Sequence, residues 1–546
     1  MGLIEDLHVT TGSGLDEGFN PLPSGIVSPI NVVRLGGVLG SHPNDDMVRY
    51  LISGFTHGFD IGFRGGFDDD NTRPRNLLSA IHDAAKVSAA VQKELTRGHT
   101  SGPFSSPPFL HTHCSPLGAA PKPDGSVRLI LDLSSPRGLS VNDGISADMF
   151  ACKYSKFDDA VDVVVRVGVG CFLAKIDIRH AFRLCPVRPD QWYLLCYRWC
   201  GGYFVDTRLP FGGRSSPFIF NTFAGALAWV FIFVGGIVFL VHYLDDFFFA
   251  NSSLDLCQRD MARFVSISEY LGVPLAEDKL VGPVQCITYL GIEIDSVAMT
   301  VRLPEDKLAN LRRLVQTWVH KNRVLKRDIL SFIGVLAFAS KVVKPGRMFL
   351  RRLIDLSTTV QSLHFYVTMN AEARADIMWW HRFLPTWNGV SIIQSGPVSS
   401  LELRLFTDAS DMGFGGVYRD KWFFSGWRCG WGQLHINVRE LFAVWAALRI
   451  WGLEWVDRQI LIYTDNESIT HVWRTGTCKD KVMMRIVRAL FFYAACHNIN
   501  VLMHHVRGSF NVEADLLSRL QVHRFRQSHP SADPFPSSIP TDVWDV

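Results

Sequence analysis

The chain has 546 residues, enough at roughly 150 per domain for three or four domains, which excludes a small stapled scaffold. Hydrophobic residues make up 47%, aromatics 12% and charged residues 20%, which excludes a disordered or fibrous chain. Fifty-five Lys and Arg stand against 52 Asp and Glu for a formal charge of +3, a near balance that by itself announces no nucleic-acid partner. Eleven cysteines, an odd number with no CxxC pair, support neither a disulfide framework nor a zinc ribbon, so an intracellular, reducing location is expected. The amino-terminal MGLIEDLHV has neither region of a secretory signal, and Asp6 stands where a myristoylation signal carries Ser or Thr.

In chain order, residues 1–40 are rich in Gly, Pro and Ser and read as a flexible arm. The apolar spacing of NLLSAIHDAAKVSAAVQKEL predicts a helix, and PKPDGSVRLILDLS a strand pair turned by Pro-Asp-Gly. Just before it, His111, His113 and Cys114 have ligand chemistry but no second ligand pair at metal-binding spacing. Residues 150–300 alternate helical and strand-like patterns, which suggests a mixed sheet covered by helices. From Ser215 to Leu244 there is no Asp, Glu, Lys or Arg, and the run reaches the ~20 residues that span a bilayer. Gly235-Gly236 breaks it and Asp245-Asp246 follows it, so a buried helix and hairpin are expected, with no membrane partner. From Pro304 to about Leu356 two amphipathic helices follow, one with an apolar face of Leu308, Leu311, Leu314, Val315 and Trp318. A connector covers 357–400, a new α/β pattern fills 401–520, and the polar, Pro-rich residues 521–546 read as a loose tail.

Two groups of carboxylates stand out. In CFLAKIDIRHAF a strand-like run ends at Asp177, and in FLVHYLDDFFFA two apolar runs flank Asp245 and Asp246. Clustered carboxylates in apolar strands are costly unless cations intervene. Hard divalent ions such as Mg²⁺, or Mn²⁺ in its place, accept oxygen ligands and, in pairs, serve in-line phosphoryl transfer. Successive strand residues face opposite sides, which favours Asp177 and Asp245 as main ligands with Asp246 nearby. The bland alternative is that Asp245-Asp246 only forms a hairpin tip.

These residues occur in fixed order with PKPDGSVRLILDLS, RLPFGGRSSPFIFN and TYLGIEID, and the set resembles the palm and fingers motifs of retroelement reverse transcriptases. The blocks SPLGAAPKPDGSVRLILDLS, VNDGI, AKIDIRHAFRL, LPFGGRSSPFIFN, HYLDDFF, LAFASKVVKPGRMFLRRLIDLS and WWHRFLPTWNGV more narrowly resemble DIRS-type retrotransposons, over about residues 40–520. The resemblance implies an α/β (α+β) right-hand polymerase, with fingers and palm over 41–300, a thumb over 301–356 and a connection over 357–400. It implies that Lys122 and Arg128 hold the incoming deoxynucleoside triphosphate and that Phe182 excludes a ribose 2′-hydroxyl. Phe211 and Gly212 would line nucleotide and template, and Tyr289, Leu290 and Gly291 the primer grip. Gly213 departs from the leucine expected after Pro-Phe-Gly. Solvated charge at Lys122 and core packing of Phe182 are the competing readings.

In the last third, LELRLFTDAS ends a strand at Asp408, NVRELFAVWAALRIWG carries Glu440 on a helix, ILIYTDNES ends a strand at Asp465, and FNVEADLLSRL places Asp515 on a helix. Four carboxylates so placed again suggest two metals, with water as nucleophile. Against this, Asn437 and Glu440 have capping-box spacing, and Asp465 and Asp515 are at home in a turn or first helical turn. TDAS, RELFAV, YTDNES and ADLLSR together resemble the ribonuclease H domain of retroelements, which implies an α/β domain over 401–520 and gives His505, beside His504, a part in product departure.

Residues 301–356 carry 13 Lys and Arg against four acids, a surplus of +9, so Arg312, Arg313, Lys326, Arg327, Lys344 and Arg347 are expected on a nucleic-acid backbone; a solvated helix face is the alternative. The reading is a retrotransposon reverse transcriptase with ribonuclease H, acting on an RNA template, a DNA primer and their hybrid. The rival is a decayed or co-opted copy that binds nucleic acid without synthesis. No protease, integrase or zinc-knuckle pattern is recognised.

Overall fold

The computed structural model describes residues 19–67, 74–122, 124–385, 387, 390–392, 398–464, 466–475, 478, 480–505 and 511–546, with backbone alone at 344, 345 and 390–392. The chain divides into two compact units, Met1–Val163 with Phe172–Val284, and Val164–Cys171 with Gln285–Val546.

The first unit is organised by a four-stranded antiparallel sheet in the order Leu240–Tyr243, Asp246–Asn251, Phe172–Asp177, Val281–Val284. Phe247, Phe248 and Phe249 are all fully buried, so the strand is covered on both faces, as its unbroken apolar run predicts. Each such ring stabilises by about 1.5–3 kcal/mol relative to exposure. Phe264, on the helix Leu254–Leu271, receives the ring of Phe231 at 3.7 Å and that of Phe247 at 5.3 Å. The helix Ser216–Trp229 passes into a π-helical turn, Val230–Val234. Ser216–Val234 is long and apolar enough to cross a membrane by length and composition alone. Ile219, Phe220, Phe223 and Leu227 on it are fully buried in the unit's core. Gly235 caps the run, and a Cβ there would lie 2.6 Å from the Phe231 carbonyl.

Two expectations are corrected here. The stretch 76–95 forms two helices, Leu78–His82 and Ala84–Thr96, separated at Asp83. The first is held to the neighbouring strand Leu117–Pro121 by Leu77 N–H donating to the Leu117 carbonyl at 3.0 Å. Residues 1–18 lie outside the described residues, but 19–40 are docked rather than loose. Asn20 exchanges two backbone hydrogen bonds with Gly102, and the helix Val32–Leu39 buries Leu35 and Leu39. Apolar anchors spaced among Gly and Pro do the docking, a pattern that composition averages away.

The first unit also holds a buried charge network. Arg183 donates to Asp206 at 2.8 Å and pairs with Glu94 at 3.0 Å, while the Thr100 hydroxyl donates to Asp206 at 2.5 Å. Burial pushes the Glu94 carboxyl up, but the His99 hydrogen bond and the Arg183 charge outweigh it and hold the group at about 2. A depressed folded value means that this stability is complete above the ordinary carboxylate range and is lost as pH falls toward 2. Arg183→Met should cost about 3–5 kcal/mol by stranding two carboxylates, read as a lower urea midpoint, and Glu94→Gln should flatten the acid limb of the stability profile.

In the second unit, Cys286–Tyr289, Ile292–Asp295, Thr300–Arg302 and Val390–Ile392 form an antiparallel sheet. The helices Glu305–Val319 and Lys326–Ala339 follow; the first buries Leu308, Leu311, Val315 and Trp318 as the sequence predicts, with Leu314 at the margin. Trp318 stacks on Phe332 at 4.2 Å. Further on, Leu405–Ala409, Gly413–Tyr418 and Lys421–Gly426 form an antiparallel sheet, and Val398–Ser399, Gln459–Thr464 and Asn500–His505 a parallel one. The expected loose tail is instead strapped down: Phe525 and Val543 are fully buried, Trp422 Nε1 donates to the Asp533 carbonyl at 2.8 Å, and Trp544 packs on Phe442 at 4.9 Å. Few but large apolar residues hold it, which the tail's polar average conceals.

Candidate active site

The strand Phe172–Asp177 buries Ala174 and Ile176 on one face and leaves Lys175 and Asp177 partly open on the other. Its register places Asp177 directly opposite Asp246. Tyr243 pairs with Asp246, so Leu244 and Asp245 make a two-residue turn, with Leu244 left-handed at φ 53°. The acidic pair is therefore a hairpin tip and also part of a cluster, since Ile178 N–H donates to the Asp245 carbonyl at 2.9 Å. Burial, then the charge of Asp177, raises the Asp245 carboxyl. Burial pushes Asp246 to about 7, opposed by the charge of Lys175 and reinforced by Asp177 and Asp245. Lys279, which no sequence pattern singled out, places its Nζ 3.2 and 3.1 Å from the two Asp177 oxygens.

The fingers-like block forms the hairpin Leu117–Pro121 and Val127–Leu131, with Gly125 left-handed at φ 79° in its turn. Lys122 is exposed at the turn, and the Arg128 guanidinium lies 4.7 Å from the centre of the Phe211 ring. Phe211 is 5.2 Å from Phe182, which is 5.7 Å from Phe220, so a cation and three rings form a file. Phe182 thus packs against the core while remaining partly open. Gly212 has φ 114°, and a Cβ there would meet the Leu131 carbonyl at 2.0 Å. The nearly buried Asn142, from the VNDGI block, donates to the Gly212 carbonyl at 2.9 Å and accepts from Arg214 N–H at 2.8 Å. The departure at Gly213 also has a local reason: a Cβ would come 2.5 Å from Ser216 Oγ, which donates to the Pro210 carbonyl.

Tyr289, Leu290 and Gly291 belong to the second unit. Tyr289 is fully buried and pairs with Ile292, and Leu290 and Gly291 form the turn with φ of 46° and 77°. Both turn residues with positive φ match the twist of a two-residue hairpin. Lys307 donates to the Gly291 carbonyl at 2.9 Å. The basic segment is not a uniform free face. Arg312 donates to the Leu384 and Trp387 carbonyls at 3.1 and 2.8 Å, and Lys326 to the Val360 carbonyl at 2.5 Å. Arg313 and Arg347 are exposed and Arg327 sits 3.5 Å from Asp328; the Lys344 side chain lies outside the described residues.

In the second constellation, Asp408 lies on the strand Leu405–Ala409 and accepts from Ser518 Oγ at 2.6 Å, which ties it to the helix Val512–Ser518 that carries Asp515. Asp515 pairs with Arg519 at 2.8 Å. Glu440, on the helix Ile436–Trp451, accepts from Asn466 Nδ2 at 2.8 Å. That helix is capped by His435, whose side chain accepts from Asn437 N–H, so the capping-box alternative does not apply. Arg439 donates to the Ser410 carbonyl at 2.9 Å, joining the helix start to the loop after Asp408. Asp465 lies outside the described residues; His504 and His505 are exposed at the end of the strand Asn500–His505.

Among the described residues no three acidic, imidazole or thiol groups stand in closed ligand geometry. At His111, His113 and Cys114, His113 stacks on Phe67 at 3.9 Å and burial pushes the Cys114 thiol up to about 11, which disfavours a thiolate ligand. The chemistry at Asp177, Asp245 and Asp246 suits a hard divalent cation: several carboxylates, two of them made harder to ionise by burial and mutual repulsion, with an ammonium seated on the third. Lys175 was open to a period-two argument, being two residues before Asp177. Lys279 arrives from a distant segment and leaves no local signal.

Residues 120–294 match the family described as reverse transcriptase (RNA-dependent DNA polymerase), and this part of the chain is a reverse transcriptase domain. The chain is similar to polyproteins of retroelement type. It is 20% identical over 378 residues to a putative enzymatic polyprotein of Cassava vein mosaic virus, covering 64% of this chain and 52% of that protein. The enzymatic polyprotein of Carnation etched ring virus is 23% identical over 330 residues, covering 58% and 46%. The transposon Tf2-3 polyprotein of Schizosaccharomyces pombe is 21% identical over 459 residues, covering 79% and 30%. The chain thus spans about half or less of the length of these relatives. In fold it is similar to a foamy viral protease-reverse transcriptase solved in complex with double-stranded DNA, at a TM-score of 0.50 and 15% identity, covering 89% of this chain and 84% of that one. The polymerase-type mixed α/β architecture agrees with the expected fold class.

Gly212→Ala should destabilise the first unit by about 1–3 kcal/mol, because strain and a backbone clash coincide there; a lower melting temperature in thermal denaturation checks it.

Proposed function

We propose that the chain is the RNA-directed DNA polymerase of a retrotransposon resembling DIRS-type elements, and that its last third hydrolyses RNA in RNA-DNA hybrids. The observation that carries the polymerase reading is the register of Asp177 with Asp246 beside the Asp245 turn, within a reverse transcriptase domain. Two Mg²⁺ ions, or Mn²⁺ in their place, would supply Lewis acidity at the attacking and departing oxygens of an in-line displacement. Asp177, Asp245 and Asp246 would hold them, and Lys122 and Arg128 would hold the triphosphate. Phe182 would bar the 2′-hydroxyl, its ring steadied by Phe211 and Phe220. Phe211 and Gly212 would line the nucleotide and template, and Tyr289, Leu290 and Gly291 would support the primer end. Exposed Arg313 and Arg347, with Arg327 and Lys344, are the candidates for backbone contact; Arg312 and Lys326 already serve carbonyls of the chain.

For the second activity, Asp408, Glu440, Asp465 and Asp515 would carry the ions and His505 would assist departure of product. Support comes from the Ser518 and Asn466 bonds that steady Asp408 and Glu440. The partners are an RNA template, a DNA primer, their hybrid and deoxynucleoside triphosphates. The hybrid is read through its shape, backbone and 2′-hydroxyls. Eleven free thiols fit an intracellular site of action.

Primer extension on RNA with Mg²⁺ tests the first activity. The parent should synthesise DNA and Asp245→Asn should lose at least about a hundredfold; no synthesis by the parent overturns the polymerase reading in favour of binding alone. Asp408→Asn should abolish hybrid cleavage while extension continues, and cleavage by that variant removes the second site. Phe182→Ala should raise ribonucleotide incorporation relative to deoxynucleotide by about ten- to a hundredfold, as loss of a 1–3 kcal/mol steric contact predicts.

A further inference from the structure

The bond between Lys279 and Asp177 joins two segments that the backbone holds side by side. Arg179 N–H donates to the Pro274 carbonyl and Ala276 N–H to the Asp177 carbonyl, both at 2.9 Å, and Ile178 bridges Leu275. A short 3₁₀ turn, Glu277–Lys279, then brings the lysine back over the end of the strand. Its Nζ lies within 3.2 Å of both oxygens of Asp177, so the ammonium spans the face of the carboxylate that a cation would take. The carboxylate is 17% exposed and the lysine 58%. The cation therefore reaches a mostly buried anion from the solvent side on a flexible stem.

We infer that Lys279 is a built-in counter-cation for Asp177, holding that carboxylate when no divalent ion is bound and giving it up when one binds. The inference rests on the reading of Asp177, Asp245 and Asp246 as metal ligands. Three carboxylates face two ammonium groups here, Lys175 and Lys279, whose charges both act on Asp246. A divalent ion placed among these carboxylates repels both ammonium groups, so its binding is favoured when one of them withdraws. Lys175 projects from the sheet strand itself, paired in register with Phe248. Lys279 is the one free to leave, because its stem is exposed and, among the described residues, its head is hydrogen-bonded to the Asp177 carboxylate alone. It is a positioning residue: it keeps Asp177 aimed along the strand end and sets how much metal is needed to displace it.

The test uses the full chain, with Asp408→Asn and Glu440→Gln to silence the second constellation, and Mn²⁺ alone as probe. Binding is followed by loss of the free-ion paramagnetic resonance signal and by the metal-dependent rise in melting temperature. Lys279→Met should bind Mn²⁺ about two- to fivefold more tightly, the range expected for one exposed ion pair, and should melt lower than the parent without metal. Lys279→Arg, which keeps the charge and can grip the carboxylate bidentately, should bind Mn²⁺ no more tightly than the parent. Equal Mn²⁺ midpoints for Lys279→Met and the parent overturn the counter-cation. If the parent shows no Mn²⁺ site that Asp177→Asn removes, the metal reading fails first and the counter-cation with it.

Discussion

The first unit depends on one alignment, the pairing of Phe172–Asp177 with Asp246–Asn251. A strand has a side-chain period of two, so a slip by one residue would turn Asp177 and Lys175 into the core and bring Ala174 and Ile176 out. Two fully buried neighbours, Phe247 and Phe249, make that slip expensive on the partner strand. The core thus sets the register, and the register sets which carboxylates meet. Chemistry at the strand ends is held by packing at their centres.

The same logic separates what the sequence made legible from what it did not. The acidic tip, the hairpin at Pro-Asp-Gly and the helix bearing Glu440 all rest on local patterns, and local patterns can be read. Asn142 was visible only as part of a motif block, because its task is a clamp on a loop some seventy residues away. Lys279 left no trace at all for the same reason. Arg312 and Lys326 show the reverse error: a surplus of charge counts residues, whereas geometry shows some of them spent on carbonyls at helix ends and in loops.

Composition misled most at the two ends of the described chain. Residues 19–40 and 521–546 are rich in turn formers, yet a few large apolar side chains suffice to dock them: Leu35 and Leu39 in one, Phe525, Val543 and Trp544 in the other. A window average weighs each residue equally, while burial rewards area. One tryptophan among polar neighbours disappears in the mean and dominates the contact.

The file from Arg128 through Phe211 and Phe182 to Phe220 has a consequence for how such sequences drift. Rings in contact share one volume, so a smaller residue at one position leaves room that a larger one at the next must fill. Substitutions along the file are coupled, and those that survive will come in compensating pairs. Related chains with little identity in common are then better compared by the summed bulk of the four positions than by the residue at any one of them.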